Sequence, residues 1–142
     1  MQQLDQFVCI EYPQIDFLIP QKDVLSCVGV KDVETSLLQN QHSGIVDFDE
    51  IAKKFNQSPR ESDIKTMIVL KGEEKQLSVI TTQECRVFTM NYKDFGLFSD
   101  LYSKGFEHFG IFACSFDGSR MRLLINAKQT IKFMNNYLLE EL

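Results

Sequence analysis

The chain has 142 residues, a formal net charge of −5, 44% hydrophobic residues, four cysteines and two histidines. That length suits one domain, or two small lobes on a shared core, and a chain this size buries about 68–70% of its unfolded surface, enough to fold without disulfides or metal. The acidic balance and the lack of a Lys/Arg cluster exclude nucleic acid as a partner, because phosphates require a basic footprint. No apolar run reaches the ~20 residues of a membrane helix. The N-terminus carries no basic-then-apolar leader. We therefore expect a cytoplasmic protein without membrane insertion.

In chain order, Phe7–Tyr12 is predicted as a first strand, Pro13-Gln14 as its turn and Phe17–Ile19 as the return. Val24–Val30 follows as a third strand, with Gly29 marking a bulge or bend. Residues 31–41 are polar and predicted as a loop. Ile45–Phe48 is a brief strand entering a helix over about 49–56. Phe48, Ile51, Ala52 and Phe55 fall at i, i+3, i+4 and i+7 on one face, with Lys53 and Lys54 outside. Asp47 followed by Glu50 resembles a capping box. Residues 56–63 have the composition of a linker.

Thr66–Leu70 is the next strand and residues 71–74 its turn. Residues 75–80 alternate, with Leu77 and Val79 on one face and Gln76 and Ser78 on the other. Arg86–Met90 alternates again. Residues 91–108 hold Tyr92, Phe95, Phe98, Tyr102 and Phe106, expected to form a lid or short helix that plugs a barrel end. Phe109–Phe116 and Met121–Ile125 make a hairpin around Asp117-Gly118. Ala127–Leu142 is predicted as an amphipathic helix, with Ile131, Met134, Leu138 and Leu142 on one face.

The plan repeats after sixty positions. Phe7–Ile10 aligns with Met67–Leu70, Phe17 and Ile19 with Leu77 and Val79, and Cys27-Val28 with Val87-Phe88. Almost no residue is identical between the copies; the apolar pattern is what recurs. It implies a mainly β protein of two lobes, spanning about 1–63 and 64–126 within one domain of 1–142.

Little in the sequence suggests catalysis. Cys9, Cys27, Cys85 and Cys114 form no Cys-x-x-Cys pair, so neither zinc nor thioredoxin-type chemistry is indicated. The cysteines are expected to be reduced and packed in strands. Cys114 and His108, six apart in a strand, would lie roughly 20 Å apart along its axis. Glycines occur singly, without a phosphate-binding loop. We expect no enzyme, no metal and no cofactor, with Cys85 and Cys114 the thiols to examine if that expectation fails.

The order of elements resembles the CheW-like domain over nearly the whole chain, from Phe7 to about Ile131. The best-matching parts are Ile68–Ile80, which looks like the strand–turn–strand opening the family's second barrel, and Phe109–Ile125, which looks like its closing hairpin. The resemblance implies two SH3-like five-stranded β-barrels packed together, with the short helix after residue 48 and the C-terminal amphipathic helix. It implies a non-catalytic adaptor of chemotaxis-type signal transduction, with a CheA-type histidine kinase, a methyl-accepting chemoreceptor, or both as partners. Where the family has Asn-Leu-Arg-Gly, this chain has Asn40-Gln-His-Ser43, so Asn40 is retained and His42 stands in place of the family's Arg. Docking also needs exposed apolar anchors. Val24, Val28 and Val30 on the bent strand, and Val87 and Phe88 on its counterpart, are the candidates. An alternative from another class is a small-molecule or peptide-binding barrel with a pocket under the aromatic segment 92–109. A lid over a cavity would favour that alternative and a packed plug the adaptor.

Overall fold

A computed structural model describes residues 5–30, 44–72, 76–97, 110–118, 120–127 and 138–141. The elements in order are β1 (Asp5–Glu11), β2 (Ile15–Pro20), a 3-10 turn (Gln21–Asp23), β3 (Val24–Val30), β4 (Gly44–Asp47), α1 (Phe48–Lys53), β5 (Lys65–Lys71), β6 (Gln76–Thr81), β7 (Cys85–Met90), a second 3-10 turn (Tyr92–Asp94), β8 (Gly96–Leu97), β9 (Ile111–Asp117), β10 (Arg120–Ile125) and β11 (Leu138–Glu141). They form a six-stranded sheet in the order β7-β1-β2-β10-β9-β8 and a five-stranded sheet in the order β11-β4-β6-β5-β3. The described residues are mainly β, as expected, with the expected short helix after residue 47. The expectation of two five-stranded barrels is refined in strand count, and no pairing closes either sheet on itself among the described residues.

The sixty-residue repeat is present in the register. Phe7 pairs with Pro20 and Met67 with Ile80; Ile10 pairs with Phe17 and Leu70 with Leu77. The third strands are exchanged between the copies. β3 leaves the β1–β2 hairpin to pair with β5, and β7 leaves β5–β6 to pair with β1. The two exchanges keep equivalent partners, Val8 with Val87 and Ile68 with Cys27, or Phe7 with Phe88 and Met67 with Val28. Two parallel pairings complete the symmetry, β4 beside β6 and β10 beside β2. Each sheet thus draws strands from both halves of the chain.

Apolar side chains on both faces of the central strands explain this arrangement. A cluster between the sheets contains Val8, Ile10, Phe17 and Ile19 from one and Val46, Ile68, Leu70, Leu77 and Val79 from the other. Phe7, Cys9, Leu18, Ala113 and Leu124 pack on the far face of the six-stranded sheet, and Ile45, Met67, Val69 and Ile80 on the far face of the five-stranded one. β2 is buried at all six positions. Ser78 does lie opposite Leu77 and Val79, but that face is also buried, and its hydroxyl has no partner.

The helix is set by its two ends. Asp47 accepts a hydrogen bond from the Asp49 amide at 3.0 Å and so caps the N-terminus. Glu50 does not return to complete the box; it takes Lys53 at 2.8 Å instead. At the other end Asn56 has φ 60°, the Asn56 amide donates to the Lys53 carbonyl and the Gln57 amide to the Ala52 carbonyl. These two bonds make a Schellman motif with Asn in the left-handed position, which stops the helix before 56. The predicted face is correct: Phe48, Ile51 and Ala52 are buried and Phe55 packs beside them. Phe17 meets the rings of Phe48 at 4.9 Å and Phe55 at 5.7 Å, fixing the helix to the six-stranded sheet.

Three further expectations change. The bulge in β3 falls between Val24 and Ser26, not at Gly29. Leu138–Glu141 is a strand, β11, paired antiparallel with β4, so the predicted helix does not run to 142; residues 128–137 lie outside the described residues. Of the aromatic segment, the described part is a 3-10 turn followed by the two-residue β8, and 98–109 lie outside.

Candidate functional site

β3 and β7 end their respective sheets, so each has one side without a ladder partner among the described residues. They hold five of the seven expected docking residues. Side-chain direction follows from register, because paired residues share a face. Val87 lies across from Val8 and points to the inter-sheet side; Val28 lies across from Met67 and points to the outer side of the five-stranded sheet. Val28 is 51% exposed and Val87 55%.

Val24, Val30 and Phe88 are not free anchors. Val24 packs on the inter-sheet core and Val30 on the outer cluster of its own sheet. Phe88 packs on the far side of the six-stranded sheet, and the guanidinium groups of Arg86 and Arg122 lie 4.9 and 4.8 Å from its ring centroid. Its ring is already occupied by cation–π contacts. Asn40 and His42 lie outside the described residues. Sequence patterning missed Leu25, within β3, and Ile64, just before β5, both 49% exposed. Leu25 is exposed because it is the bulged residue, and Ile64 because it precedes β5 and lies over Gly29, where a Cβ would stand 3.6 Å from its methyl. Neither has a periodic signal.

The polar groups nearby are tied into structure. Asp16, almost fully buried, accepts two bonds from Arg120, which also donates to the Tyr12 and Pro13 carbonyls. Arg86 pairs with Glu11. A cleft of about 400 Å³ lined by Glu11, Tyr12, Arg60, Gln83 and Arg120 lies next to these groups. Its two arginines are both engaged, Arg120 as above and Arg60 with the Thr82 carbonyl at 2.7 Å. The tyrosine hydroxyl turns away to Asp49 at 2.6 Å. The cleft is a byproduct of these links, not a set of converging free donors. Where the aromatic segment is described, Phe95 packs edge-on to Phe7 at 5.8 Å, in the outer cluster of the six-stranded sheet.

Neither candidate nucleophile is activated. The Cys85 thiol is pushed up by its hydrogen bond to Cys27 and then by burial, and that of Cys114 is raised by burial. A nucleophilic cysteine needs the opposite shift. No group of three or more acidic, cysteine or histidine side chains that could hold a metal ion occurs among the described residues. No described helix is long and apolar enough to cross a membrane.

Two β-hairpins that exchange their third strands, with a short capped helix between them, make a fold of the CheW-like class. The chain is similar over 96% of its length, and over 99% of the other chain, to the crystal structure of the scaffolding protein TtCheW from Thermoanaerobacter tengcongensis, with a TM-score of 0.65 and 12% identity. No protein-family model matches the chain, and no curated protein matches it in sequence.

Proposed function

We propose that this chain is a non-catalytic adaptor of chemotaxis-type signalling, cytoplasmic, which binds a CheA-type histidine kinase, a methyl-accepting chemoreceptor, or both. The observation that carries this reading is the end-to-end likeness of fold to a CheW scaffold. The exposed apolar residues on the edge strands support it, since a docking patch needs anchors that its own core does not use. Val28 and Val87 are those anchors in this reading, joined by Leu25 and Ile64.

The test is capture from cells that express both partners, with bound proteins identified by mass spectrometry. Wild-type chain is expected to recover the kinase or the receptor. Val28→Asp and Val87→Asp are expected to lose at least 10-fold of that recovery, about 1.4 kcal/mol of binding. Their melting temperatures should stay near wild type, because exposed substitutions usually cost within about 0.5 kcal/mol. Recovery of neither partner by the wild-type chain would reject the reading.

A further inference from the structure

β7 is a sheet edge that lacks the bulge and the proline by which edges are kept from pairing. Its ladder with β1 runs in unbroken register, from Cys85 opposite Ile10 to Met90 opposite Asp5. Arg86, Val87 and Thr89 are exposed, and Arg86 is the one charged residue of the strand. The edge of the other sheet differs. The ladder of β3 is interrupted between Val24 and Ser26, and Gly29 offers a neighbouring strand no side chain to pack on. The register with β1 also fixes the faces of β7. Val87 lies across from Val8 on the inter-sheet side, where the core ends, and Arg86 and Phe88 lie across from Cys9 and Phe7 on the outer side.

We infer that β7 is a self-association edge, on which a second copy of this chain pairs its own β7 antiparallel about a two-fold axis at Val87. The sequence of β7 is complementary to itself in that register. Val87 faces Val87 of the second copy, Arg86 faces Phe88, and Cys85 faces Thr89. The axis stands perpendicular to the sheet, so the inter-sheet sides of the two copies remain together, as do the outer sides. On the inter-sheet side the two valines extend the core beyond Val8. On the outer side each Arg86 stands directly opposite an aromatic ring, within the ~4.5–5.5 Å of a cross-strand pair. Each guanidinium also pairs with Glu11, so its charge is balanced within the copy that carries it.

Neighbouring registers lose this match. A two-fold at Arg86 opposes two guanidinium groups, and one at Phe88 sets each Val87 against Thr89. A slip of one residue turns the inter-sheet side of one copy to the outer side of the other. The contact is isologous and closes at two copies. A six-residue strand is a short edge beside the ~1,200 Å² that stable complexes bury, so the dimer is weak and depends on concentration. Val87 is an anchor in the adaptor reading as well, but the inference rests on the chemistry of the edge and does not require that reading.

The experiment is sedimentation equilibrium of the purified full chain, with no other protein present, over ~5–500 µM, the range of a weak interface. Wild type is expected to rise from the monomer mass toward twice that mass and no further. Amide exchange along β7 is expected to slow in the concentrated sample while that along β3 is unchanged, a readout that needs no substitution. Val87→Lys and Val87→Glu, both at an exposed position, are each expected to weaken the dimer at least 10-fold, because like charges then meet at the axis. Their equimolar mixture is expected to regain it, since Lys then faces Glu. Val28→Lys on β3 should dimerise as wild type does. A wild-type chain that is monomeric throughout, a dimer that survives Val87→Lys, a mixture no better than either variant alone, or protection on β3 in place of β7 would overturn the inference.

Discussion

Asp47 shows how one side chain can serve an element at a cost to the molecule. Its carboxylate caps α1 through the Asp49 amide, which favours the charged form. Burial, and next the charge of Asp49, outweigh that bond and raise its pKa above the usual carboxylate value. A carboxyl with a raised folded-state pKa binds its proton more tightly when folded than when unfolded. The folded state therefore gains from this group below the unfolded value, near about 3.9, and loses that gain as pH rises through the folded value. Asn keeps the cap acceptor and removes both penalties. Asp47→Asn is expected to melt at or above the wild-type temperature at pH ~7, with the difference disappearing on the acid side of the carboxylate range. Melting curves across that range decide it. A variant less stable than wild type by the same margin at every pH would show that the cap itself, not the charge, dominates.

Pairings between elements rest on contacts that no local pattern encodes. β10 lies parallel to β2 although about a hundred residues separate them, and Arg120 secures the pair. It donates from Nε to Asp16 at 2.9 Å and holds the turn after β1 through the Tyr12 and Pro13 carbonyls. Arg120→Ala would leave the Asp16 carboxylate buried with Arg122 alone, 3.7 Å away. The expected loss is about 3 kcal/mol, seen as a lower urea midpoint. Asp16→Asn in the same chain should recover part of it, because the uncompensated charge is gone; equal loss in the double variant would sink the argument. Nine of the eleven described strands, all but β8 and β11, were legible in the sequence, since β-branched and aromatic runs between turn residues mark them, as was the buried face of α1. The exchange of β3 and β7 was not, because a third strand looks the same whether it pairs at home or abroad. The spacing of Leu138 with Leu142 fitted a helix, but pairing with β4 prevails over that local period. Of the docking residues, alternation located the edge strands and could not tell Val87, which is exposed, from Phe88, which is stacked under two arginines.

At the scale of the whole molecule, the exchange of third strands decides how the protein unfolds. If each sheet were built from one half of the chain, two separately melting lobes could result. Here β1 needs β7 from the second half and β5 needs β3 from the first, and the largest cluster takes side chains from both sheets. Unfolding either half of the chain strips strands from both sheets, and unfolding either sheet opens the core between them, so no intermediate with one sheet intact keeps its buried surface. One cooperative transition is expected. The chain has no tryptophan, so a single indole reports on one sheet at a time. Thr89→Trp on β7 and Ser26→Trp on β3 are both at exposed edge positions. Their fluorescence transitions in urea should coincide with each other and with the loss of circular dichroism. Ile68→Ala in the five-stranded sheet should cost about 2–5 kcal/mol and shift the midpoint reported from β7 as far as that reported from β3. Two separated midpoints, or a shift confined to the β3 reporter, would mean that the exchanged strands do not couple the sheets.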